Sequence, residues 1–405
     1  MRILVTTLGS PSHGRAQLPL VRALAAAGHE VLVATIPALA TVFEHDDVRV
    51  TTCMADFVPG AHAAAELKEL VERPDLDDEQ QRAELLRVMS RTLSGPMAQE
   101  ILDSVLPVAR EFRPDLILRD GMDMSSVLIG ELHGIPQLPT PSGASNCFDP
   151  GEILPGLNVL RETLGLPALD DPLSIIPRGR IDYVPPALSF SQHLPASWSY
   201  RQTVGVDRAS VLPQWVVDLP TERPLVFAAI GTALPMVHKQ LNDEDAPEMP
   251  FRMPEPADTL RSIIQAAAQL DECTVVVATS GIPADTDGLP LHVRVTDRLP
   301  QPILLEAVDL FLTHGGFNSV RESLRTATPM AVLPQFGDQY SNAERVQELG
   351  LGRWITDPTA DGIATVCREV LADPGIGAVA RSARLAMLGL PEVESAVADL
   401  EKIAG

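Results

Sequence analysis

Apolar residues occur in short runs that alternate with longer stretches of helical spacing, and this rhythm occurs twice along the chain. In the first half, residues 2–8 and 29–35 are strand-like, and residues 17–27 between them repeat apolar positions every three or four residues. This order predicts a β-α-β unit with a parallel strand pair. Residues 115–118 and 136–138 predict further strands of the same sheet.

The second half repeats the same order. Strand-like runs are residues 224–230, 273–278, 308–313 and 330–333, and helical stretches are residues 259–270, 304–307 and 318–325. The pattern predicts an α/β protein with two Rossmann-like, doubly wound parallel-sheet domains. We expect the two domains to face each other across a cleft, because ligands of open α/β sheets bind beyond the carboxyl ends of the strands.

Composition along the chain predicts where the domains begin and end. Residues 195–223 are rich in proline and polar groups and predict a connection, while residues 236–256 predict a long acidic loop. The expected division is an N-terminal domain, a linker, a C-terminal domain and a final helix that packs back on the N-terminal domain, at residues 1–205, 206–223, 224–385 and 386–405.

Charge and composition narrow the class of partner. The formal net charge is −23 and no basic stripe is present, so binding to nucleic acid is not expected. No apolar run reaches the ~18 residues of a membrane-spanning helix, and the first residues lack a signal-peptide pattern, so we expect a cytoplasmic protein without membrane insertion. The cysteines lie far apart and predict neither a zinc site nor a disulfide framework.

Residues 312–324, LTHGGFNSVRESL, combine a strand end, two glycines and a helix start. Glycine lets a ligand approach the backbone, and the N–H groups of a helix start attract anions. Asn318 and Ser319 stand at the expected capping positions, and His314 can add a hydrogen bond or a proton. The pattern predicts a nucleoside diphosphate, with its ribose beside Glu322 one turn along the helix. A plain strand-to-helix turn capped by Asn318 is the alternative from this stretch alone.

Flanking segments extend this motif in both directions. Residues 298–301 read RLPQ, and residues 334–342 read PQFGDQYSN, with Asp338 and Gln339 at a strand end where they suit sugar hydroxyls. The whole segment resembles the donor-binding signature of the inverting, nucleotide-sugar-dependent glycosyltransferases with the GT-B fold. This family includes plant secondary-metabolite and actinomycete antibiotic glycosyltransferases, and its macrolide and polyketide branch is the most similar.

The resemblance implies a donor site for a UDP- or dTDP-hexose. It assigns diphosphate contacts to the glycine turns and the helix start, ribose contacts to Glu322, and sugar hydroxyl contacts to Asp338 and Gln339. Arg298 stands where many relatives have a tryptophan that stacks on the nucleobase, and a guanidinium plane can also stack. The implied donor-binding residues are Gly231, Thr232, Arg298, Leu299, Gln301, His314, Gly316, Asn318, Ser319, Glu322, Asp338 and Gln339.

His13 is the candidate catalytic base. It lies between the predicted first strand and first helix, and an imidazole titrates near neutral pH. An exposed or helix-capping histidine is the alternative from position alone, but His13 has the spacing before residues 28–31 (GHEV) that the resembled family gives its base. Asp120 follows a predicted strand end, where it would orient the ring. Asp123 is its rival, and Asp120 could instead cap the next helix.

The reaction that the resemblance implies is a direct displacement. His13 removes a hydroxyl proton and the acceptor oxygen attacks the anomeric carbon opposite the nucleotide, while the helix start stabilises the departing diphosphate. That stabilisation needs no metal, and no organic cofactor is expected beyond the nucleotide-sugar co-substrate. The D-x-D triplets at residues 243–245 and 285–287 are interpreted as solvated loops, because proline-rich or glycine-rich segments surround them.

There are three alternative functions to compare with glycosyl transfer. A sugar-nucleotide 2-epimerase shares this fold type, and an inactive helper for a partner glycosyltransferase would not need His13. A dinucleotide oxidoreductase is disfavoured because the first loop lacks G-x-G-x-x-G.

The acceptor and the identity of the donor are the open parts of the hypothesis. An acceptor pocket is expected from residues 57–97 and 142–183, whose Pro, Met and Leu suit a bulky apolar aglycone. UDP and dTDP both stay open, as do glucose and a deoxysugar, although the hydroxyl-binding side chains of Glu322, Asp338 and Gln339 favour UDP-glucose. A monomer or a homodimer is expected.

Overall fold

In the computed structural model, which describes residues 1–56, 62–73, 75–195, 198–201, 210–241 and 254–405, every strand pair runs parallel. The chain divides into two units. The first contains Met1–Arg201 and Pro391–Gly405, and the second contains Gln202–Lys239 and Met253–Leu390. The predicted boundary at residues 205 and 206 lies outside the described residues.

The first unit is built on a five-stranded sheet with the order β3-β2-β1-β4-β5. Its strands are β1 Arg2–Thr7, β2 Glu30–Thr35, β3 Arg49–Thr51, β4 Leu116–Arg119 and β5 Gln137–Pro139. Strands β1 and β4 are buried almost throughout, as expected for central strands covered on both faces. The strand order reverses between β1 and β4, and this switch point is where open parallel sheets bind their ligands.

Helices cover both faces of this sheet. The α-helices are α1 Pro11–Ala26, α2 Ala64–Val71, α3 Asp78–Ser94, α4 Pro96–Phe112, α5 Ser125–His133 and α6 Pro150–Thr163. Short 3-10 helices are Pro37–Phe43, Gly143–Asn146, Pro172–Ile175 and Pro186–Leu188. Side chains of α4 and α5, such as Val105 and Leu128, pack with Leu4 and Ile117 of the sheet in one core.

Helix α1 begins six residues before the stretch that the apolar pattern predicts. The prediction that His13 precedes the first helix is therefore wrong, since His13 lies in the first turn of α1. Pro11 occupies the start of this helix, where its fixed φ favours the helical conformation and its missing N–H costs nothing. The polar residues 12–15 carry no apolar periodicity, so the sequence pattern did not reveal this turn.

The segment that joins the two sheets contains short regular elements. Strand β6 Ile181–Asp182 pairs with β7 Trp198–Ser199, and a single turn, α7 Gln214–Val217, lies within the predicted linker. The loop predicted over residues 236–256 is wrong in its first part, because residues 236–241 belong to helix α8 Ala233–Leu241. Residues 242–253 of that loop, including the triplet at 243–245, lie outside the described residues.

The second unit is built on a six-stranded sheet with the order β10-β9-β8-β11-β12-β13. Its strands are β8 Leu225–Ala229, β9 Thr274–Ala278, β10 Val293–Thr296, β11 Leu310–Thr313, β12 Met330–Val332 and β13 Gly352–Trp354. Counted from β8, this is the 3-2-1-4-5-6 order of dinucleotide-binding folds, with its switch point between β8 and β11. The rings of Phe227 and Phe311 stack across this point, with centroids 5.2 Å apart.

Helices also flank the second sheet. They are α9 Pro256–Gln269, α10 Gln301–Leu304, α11 Phe317–Thr326, α12 Gln339–Glu348, α13 Ala360–Ala372 and α14 Pro374–Leu388, with a 3-10 helix at Leu305–Ala307. Ile263 of α9 and Ile363 of α13 pack with Val226, Val275 and Leu312 of the sheet in one core. The central strands β8 and β11, which lead to the switch point, are therefore anchored in a packed hydrophobic core.

The last residues of the chain pack within the first unit. They contain a 3-10 helix at Val393–Ser395 and helix α15 Ala396–Ala404. The hydroxyl of Tyr200 donates to Asp399 over 3.0 Å, and His29 lies 3.2 Å from Glu401. Across the described ranges, no helix combines the length and apolar character that a membrane span requires.

Candidate active site

A histidine–carboxylate pair lies at the switch point of the first sheet. Nδ1 of His13 is 2.9 Å from Oδ2 of Asp120, and the two side chains are 13% and 0% exposed. The other carboxylate oxygen of Asp120 accepts a hydrogen bond from the backbone N–H of Met122 over 2.9 Å. Asp120 is therefore held on both sides, and it fixes the imidazole so that Nε2 is the nitrogen able to exchange a proton with a ligand.

The position of each partner follows from the sheet. Asp120 comes directly after β4, and His13 lies in the first turn of the helix that follows β1. Gly9 makes the turn between β1 and α1 at φ +82, in the left-handed region that favours glycine. A Cβ atom at Gly9 would lie 3.2 Å from Cε1 of His13, so the absence of a side chain at Gly9 also leaves room for the imidazole ring.

Asp123, the rival of Asp120, has a different role. Its carboxylate accepts from the hydroxyls of Thr6 and Ser125 over 2.6 Å each, and also from that of Ser126. These contacts tie β1 to the start of α5 and occupy both oxygens. The structure thus brings Asp120, and not Asp123, to His13.

In the second unit, the ring of His314 lies between two glycines. A Cβ atom at Gly231 would lie 2.5 Å from Nε2 of His314, and a Cβ atom at Gly316 would overlap the same nitrogen. Gly231 also has φ +73, which an L side chain rarely adopts. Both positions consequently require glycine as long as His314 keeps this place at the switch point.

Burial lowers the pKa of His314 from 6.5 to about 4, and a hydrogen bond with the backbone of Ala229 opposes this only in part. The imidazole is therefore neutral at physiological pH. A neutral ring carries a single N–H donor and no positive charge.

The positive potential comes instead from the start of α11. Gly316 is the N-cap residue, and no side chain among the described residues caps this helix. The prediction that Asn318 and Ser319 occupy capping positions is wrong, because both lie inside the first turn. Oδ1 of Asn318 accepts from Arg321, and the uncapped helix start provides the N–H groups and the dipole that bind anions.

Gln301 connects the predicted ribose contact to the first turn of α11. Its Nε2 donates to Oε2 of Glu322 over 2.7 Å and to Oγ of Ser319 over 3.1 Å. Glu322 is 9% exposed, so its carboxylate is held in one place.

Arg298, the residue predicted to stack on the nucleobase, lies three positions before Gln301 in the chain. Its side chain is 75% exposed, and its nearest ion-pair partner is Asp297 at 3.9 Å. Leu299, the next residue in the chain after Arg298, is half-buried.

Asp338 is the N-cap residue of helix α12 and Gln339 is the first residue of that helix, after the segment that follows β12, but the two side chains are not equally available to a ligand. Gln339 is buried, and its Oε1 accepts from the backbone N–H of Gln335 over 2.9 Å. Only its amide N–H groups remain for a ligand. Asp338 is half-buried, and its Oδ2 accepts from Asn342 over 3.0 Å.

Asn342 supports the site, although the sequence predicted no role for it. Its Nδ2 also donates to the backbone carbonyl of Gly315 over 2.8 Å, which links α12 to the glycine turn. Thr232 is half-buried and lies between Gly231 and the first residue of α8. The ends of β8, β11 and β12 thus gather Thr232, His314, Asp338 and the start of α11.

Among the described residues, no group of three or more His, Cys, Asp and Glu side chains is placed to hold a metal ion. Asp285 and Asp287 are exposed, and Oδ1 of Asp285 accepts from the backbone N–H of Asp287 over 3.1 Å. This triplet stabilises its own turn. The triplet at residues 243–245 lies outside the described residues.

Two doubly wound parallel sheets, each with polar side chains at its switch point, are the arrangement of the GT-B fold. The spinosyn rhamnosyltransferase structure superimposes with a TM-score of 0.75 at 23% identity, covering 99% of this chain and 100% of that chain. The predicted GT-B fold is confirmed.

The chain belongs to the family described as erythromycin biosynthesis protein CIII-like, whose N-terminal domain model matches residues 22–231 and whose C-terminal domain model matches residues 261–403. It is 24% identical to aclacinomycin-T 2-deoxy-L-fucose transferase of Streptomyces galilaeus over 100% of this chain and 96% of that protein. It is also 24% identical to 10-deoxymethynolide desosaminyltransferase of Streptomyces venezuelae, over 100% and 97%. The predicted resemblance to antibiotic glycosyltransferases is confirmed.

Proposed function

We propose that this glycosyltransferase moves a hexose from a dTDP- or UDP-sugar to a hydroxyl group of a hydrophobic natural-product aglycone, with inversion at the anomeric carbon and His13 as general base. The observation that carries the proposal is the 2.9 Å contact between His13 and the fully buried Asp120. A ring fixed in this way at a sheet switch point has the arrangement of a base and its orienting carboxylate.

The proposed step is a single displacement. Nε2 of His13 takes the proton of the acceptor hydroxyl as its oxygen forms a bond to the anomeric carbon. The bond between that carbon and the diphosphate oxygen breaks, and the nucleoside diphosphate leaves with the electron pair. Asp120 stabilises the imidazolium that forms, and such general-base catalysis contributes about 10²- to 10⁴-fold.

The second unit is proposed to bind the donor. The uncapped start of α11 holds the diphosphate, with His314 and Thr232 as neutral donors. Glu322, positioned by Gln301, accepts from the ribose. We assign the stabilisation of the leaving group to these groups, so the proposed reaction requires neither a metal nor an organic cofactor.

A dTDP-deoxyhexose is the donor that we favour. The two relatives named above are, by their names, a 2-deoxy-L-fucose transferase and a desosaminyltransferase. The spinosyn rhamnosyltransferase has also been solved with thymidine diphosphate. The engagement of Oε1 of Gln339 with the backbone leaves fewer acceptors for sugar hydroxyls than the sequence suggested, which favours a sugar with fewer hydroxyls.

The proposed acceptor is a bulky apolar aglycone bound by the first unit. The spinosyn rhamnosyltransferase structure with a spinosyn aglycone supports an acceptor of this kind. Not every apolar residue of the predicted pocket segments is available, because Met97, Phe148 and Leu157 belong to the hydrophobic core. Residues 57–61 and 74 of those segments lie outside the described residues.

The test is a transfer assay with dTDP- and UDP-sugars, each offered with a panel of polyketide aglycones. We expect a glycoside whose anomeric configuration, read by NMR, is opposite to that of the donor, and a rate of product formation at least about 10²-fold lower in the His13→Ala variant. A glycoside with retained configuration would overturn the mechanism. Rearrangement of the donor in the absence of any aglycone would identify an epimerase, and full activity of His13→Ala would exclude His13 as the base.

A further inference from the structure

A fully buried arginine supports the loop that carries Asp120. Arg119 ends β4 and is 1% exposed. Its Nε donates to Oε1 of Gln137 over 2.8 Å, and its Nη2 donates to the backbone carbonyl of Ile175 over 3.1 Å. Its Nη1 contacts the carbonyl oxygens of Asp120, Gly121 and Asp123 at 3.4, 3.4 and 3.2 Å. One guanidinium thus spans the whole turn from the orienting carboxylate to the start of α5.

The same guanidinium supplies a positive charge to a region with two buried carboxylates. Asp120 and Asp123 are both 0% exposed. Burial lowers the pKa of Arg119 to about 10, and the attraction of Asp123 and Asp120 opposes this fall, so the side chain stays charged at neutral pH. The charge of Arg119 therefore adds to the hydrogen bonds that the two buried carboxylates accept.

Other titratable groups near this loop come from different elements. Arg180 lines the same small cavity as Arg119 and Gly121, and it forms a buried ion pair of 2.8 Å with Asp182 of β6. Cys53, after β3, interacts electrostatically with Asp123, and burial raises the pKa of its thiol. Arg180 and Asp182 offset each other, and the thiol is neutral. Arg119 is therefore the cation in direct contact with the loop that contains both carboxylates.

We propose that Arg119 is a positioning residue, whose hydrogen bonds hold the Asp120 loop in register with His13 and whose buried positive charge attracts the carboxylate of Asp120. This inference rests on the proposed function, in which His13 is the base. It follows that removing the charge makes proton uptake by the His13–Asp120 pair easier, because a nearby positive charge repels an incoming proton.

The test follows the titration of His13 by NMR in protein with labelled histidine, with the signal assigned by loss in His13→Gln. In Arg119→Met, we expect the pKa of the His13–Asp120 pair to rise by about one unit, with the acidic limb of kcat/KM moving to higher pH by the same amount. In Arg119→Lys, the charge is kept, so the pKa should stay near the native value while kcat falls because the loop contacts are lost.

Arg161 provides a matched control. It is also fully buried, but it pairs with Glu131 over 2.8 Å on a different part of the first unit. Arg161→Gln should lower the melting temperature without moving the pKa of His13. A shift in Arg161→Gln as large as that in Arg119→Met would show a general loosening of the fold and would overturn the proposal.

A second variant tests the role of the Arg119 charge without removing the Arg119 side chain. Gln137→Glu keeps an oxygen next to Nε of Arg119 and adds one negative charge, so it should raise the pKa of the pair in the same direction even if Arg119→Met does not fold. An unchanged pKa in Gln137→Glu would overturn the electrostatic role of Arg119. The NMR titration needs no turnover, so it still decides this question if His13→Gln retains activity and the proposed base is wrong.

Discussion

A Cβ atom on Gly316 would overlap Nε2 of His314. Gly316 is the N-cap of α11 and has φ −59, an ordinary value for any residue. Glycine is therefore needed at this position because of the neighbouring imidazole and not because of the backbone. At Gly231 the two causes act together, since φ there is +73.

Gly316→Ala isolates the contact with His314. We expect the added methyl group to displace the imidazole and the start of α11, and to weaken the binding of dTDP at least about tenfold, a loss of roughly 1.4 kcal/mol. Isothermal titration calorimetry with dTDP measures this directly. Gly377→Ala in α14 is the control, because its Cβ would meet Arg381 at an ordinary 3.5 Å. Equal affinity for dTDP in the native protein and in Gly316→Ala would show that His314 is not part of the diphosphate site.

His13→Ala should slow transfer strongly while leaving donor binding intact. We expect kcat to fall about 10²- to 10⁴-fold, because the acceptor hydroxyl loses its general base. The affinity for dTDP should stay within about twofold, since the proposed donor residues lie in the second unit. Rates of glycoside formation and calorimetry with dTDP separate the two effects.

Asp120→Asn and His133→Ala complete that comparison. Asp120→Asn should also reduce kcat strongly, because an amide no longer stabilises the imidazolium. His133 is exposed at the end of α5, so its replacement by alanine should change neither rate nor affinity. A joint loss of dTDP binding and turnover in His13→Ala would indicate a structural role for this histidine.

The lowered pKa of His314 predicts an acid-sensitive stability. Its folded pKa is about 4 against an ordinary 6.5, so the unfolded chain binds more protons between these values. The contribution of a neutral His314 is fully present above pH 6.5 and is lost as the pH falls towards 4. Relative to pH 7.5, the loss at pH 5 should be about 2 kcal/mol.

His314→Gln provides the measurement, because glutamine does not titrate. The difference in melting temperature between the native protein and this variant should be larger at pH 7.5 than at pH 5. Other histidines titrate in both proteins and cancel in the comparison. A difference that stays constant over this range would contradict the buried, neutral state of His314.

Gln301→Leu tests the proposed ribose contact. Gln301 holds Glu322 over 2.7 Å, and losing one such hydrogen bond to a charged group costs about 1.5–3 kcal/mol. Affinity for dTDP should fall at least about tenfold, because Glu322 is no longer held in place. Affinity for inorganic pyrophosphate should be unchanged, since that ligand has no ribose.

Gln269→Leu is the control for this variant. Gln269 donates to Asp361 over 2.8 Å in a similar contact on the exposed side of α9. Its loss should affect neither ligand. Equal weakening of dTDP and pyrophosphate by Gln301→Leu would place Gln301 with the diphosphate instead of the ribose.

Much of the fold could be predicted because parallel strands are buried on both faces. Runs such as residues 225–229 and 310–312 are apolar throughout, and the observed strands differ from the predicted ones by one or two residues at an end. Strands with weaker patterns, such as β10 and β13, were not predicted. Helix α1 was started too late, because its first turn is polar and is held in place by Pro11.

Some features of the candidate site could likewise be predicted from the sequence, and others could not. Residue types and their spacing along the chain identified His13, Asp120 and the donor segment, because the carboxyl ends of parallel strands are where such sheets bind ligands. Asp120 and Asp123 could not be separated in sequence with certainty, since they are three positions apart. Only the packing of Ser125, Ser126 and Thr6 around Asp123 leaves Asp120 as the partner of His13.

The sequence by itself determined the order of strands and helices, the family, and the residue types at the ends of the strands, because these depend on local periodicity and on motifs contiguous in the chain. Tertiary structure alone decided the neutral state of His314, the engagement of Gln339 and the charge that Arg119 contributes beneath Asp120. These properties depend on burial and on partners far away in sequence, such as Gln137 and Ile175, which no local pattern reveals.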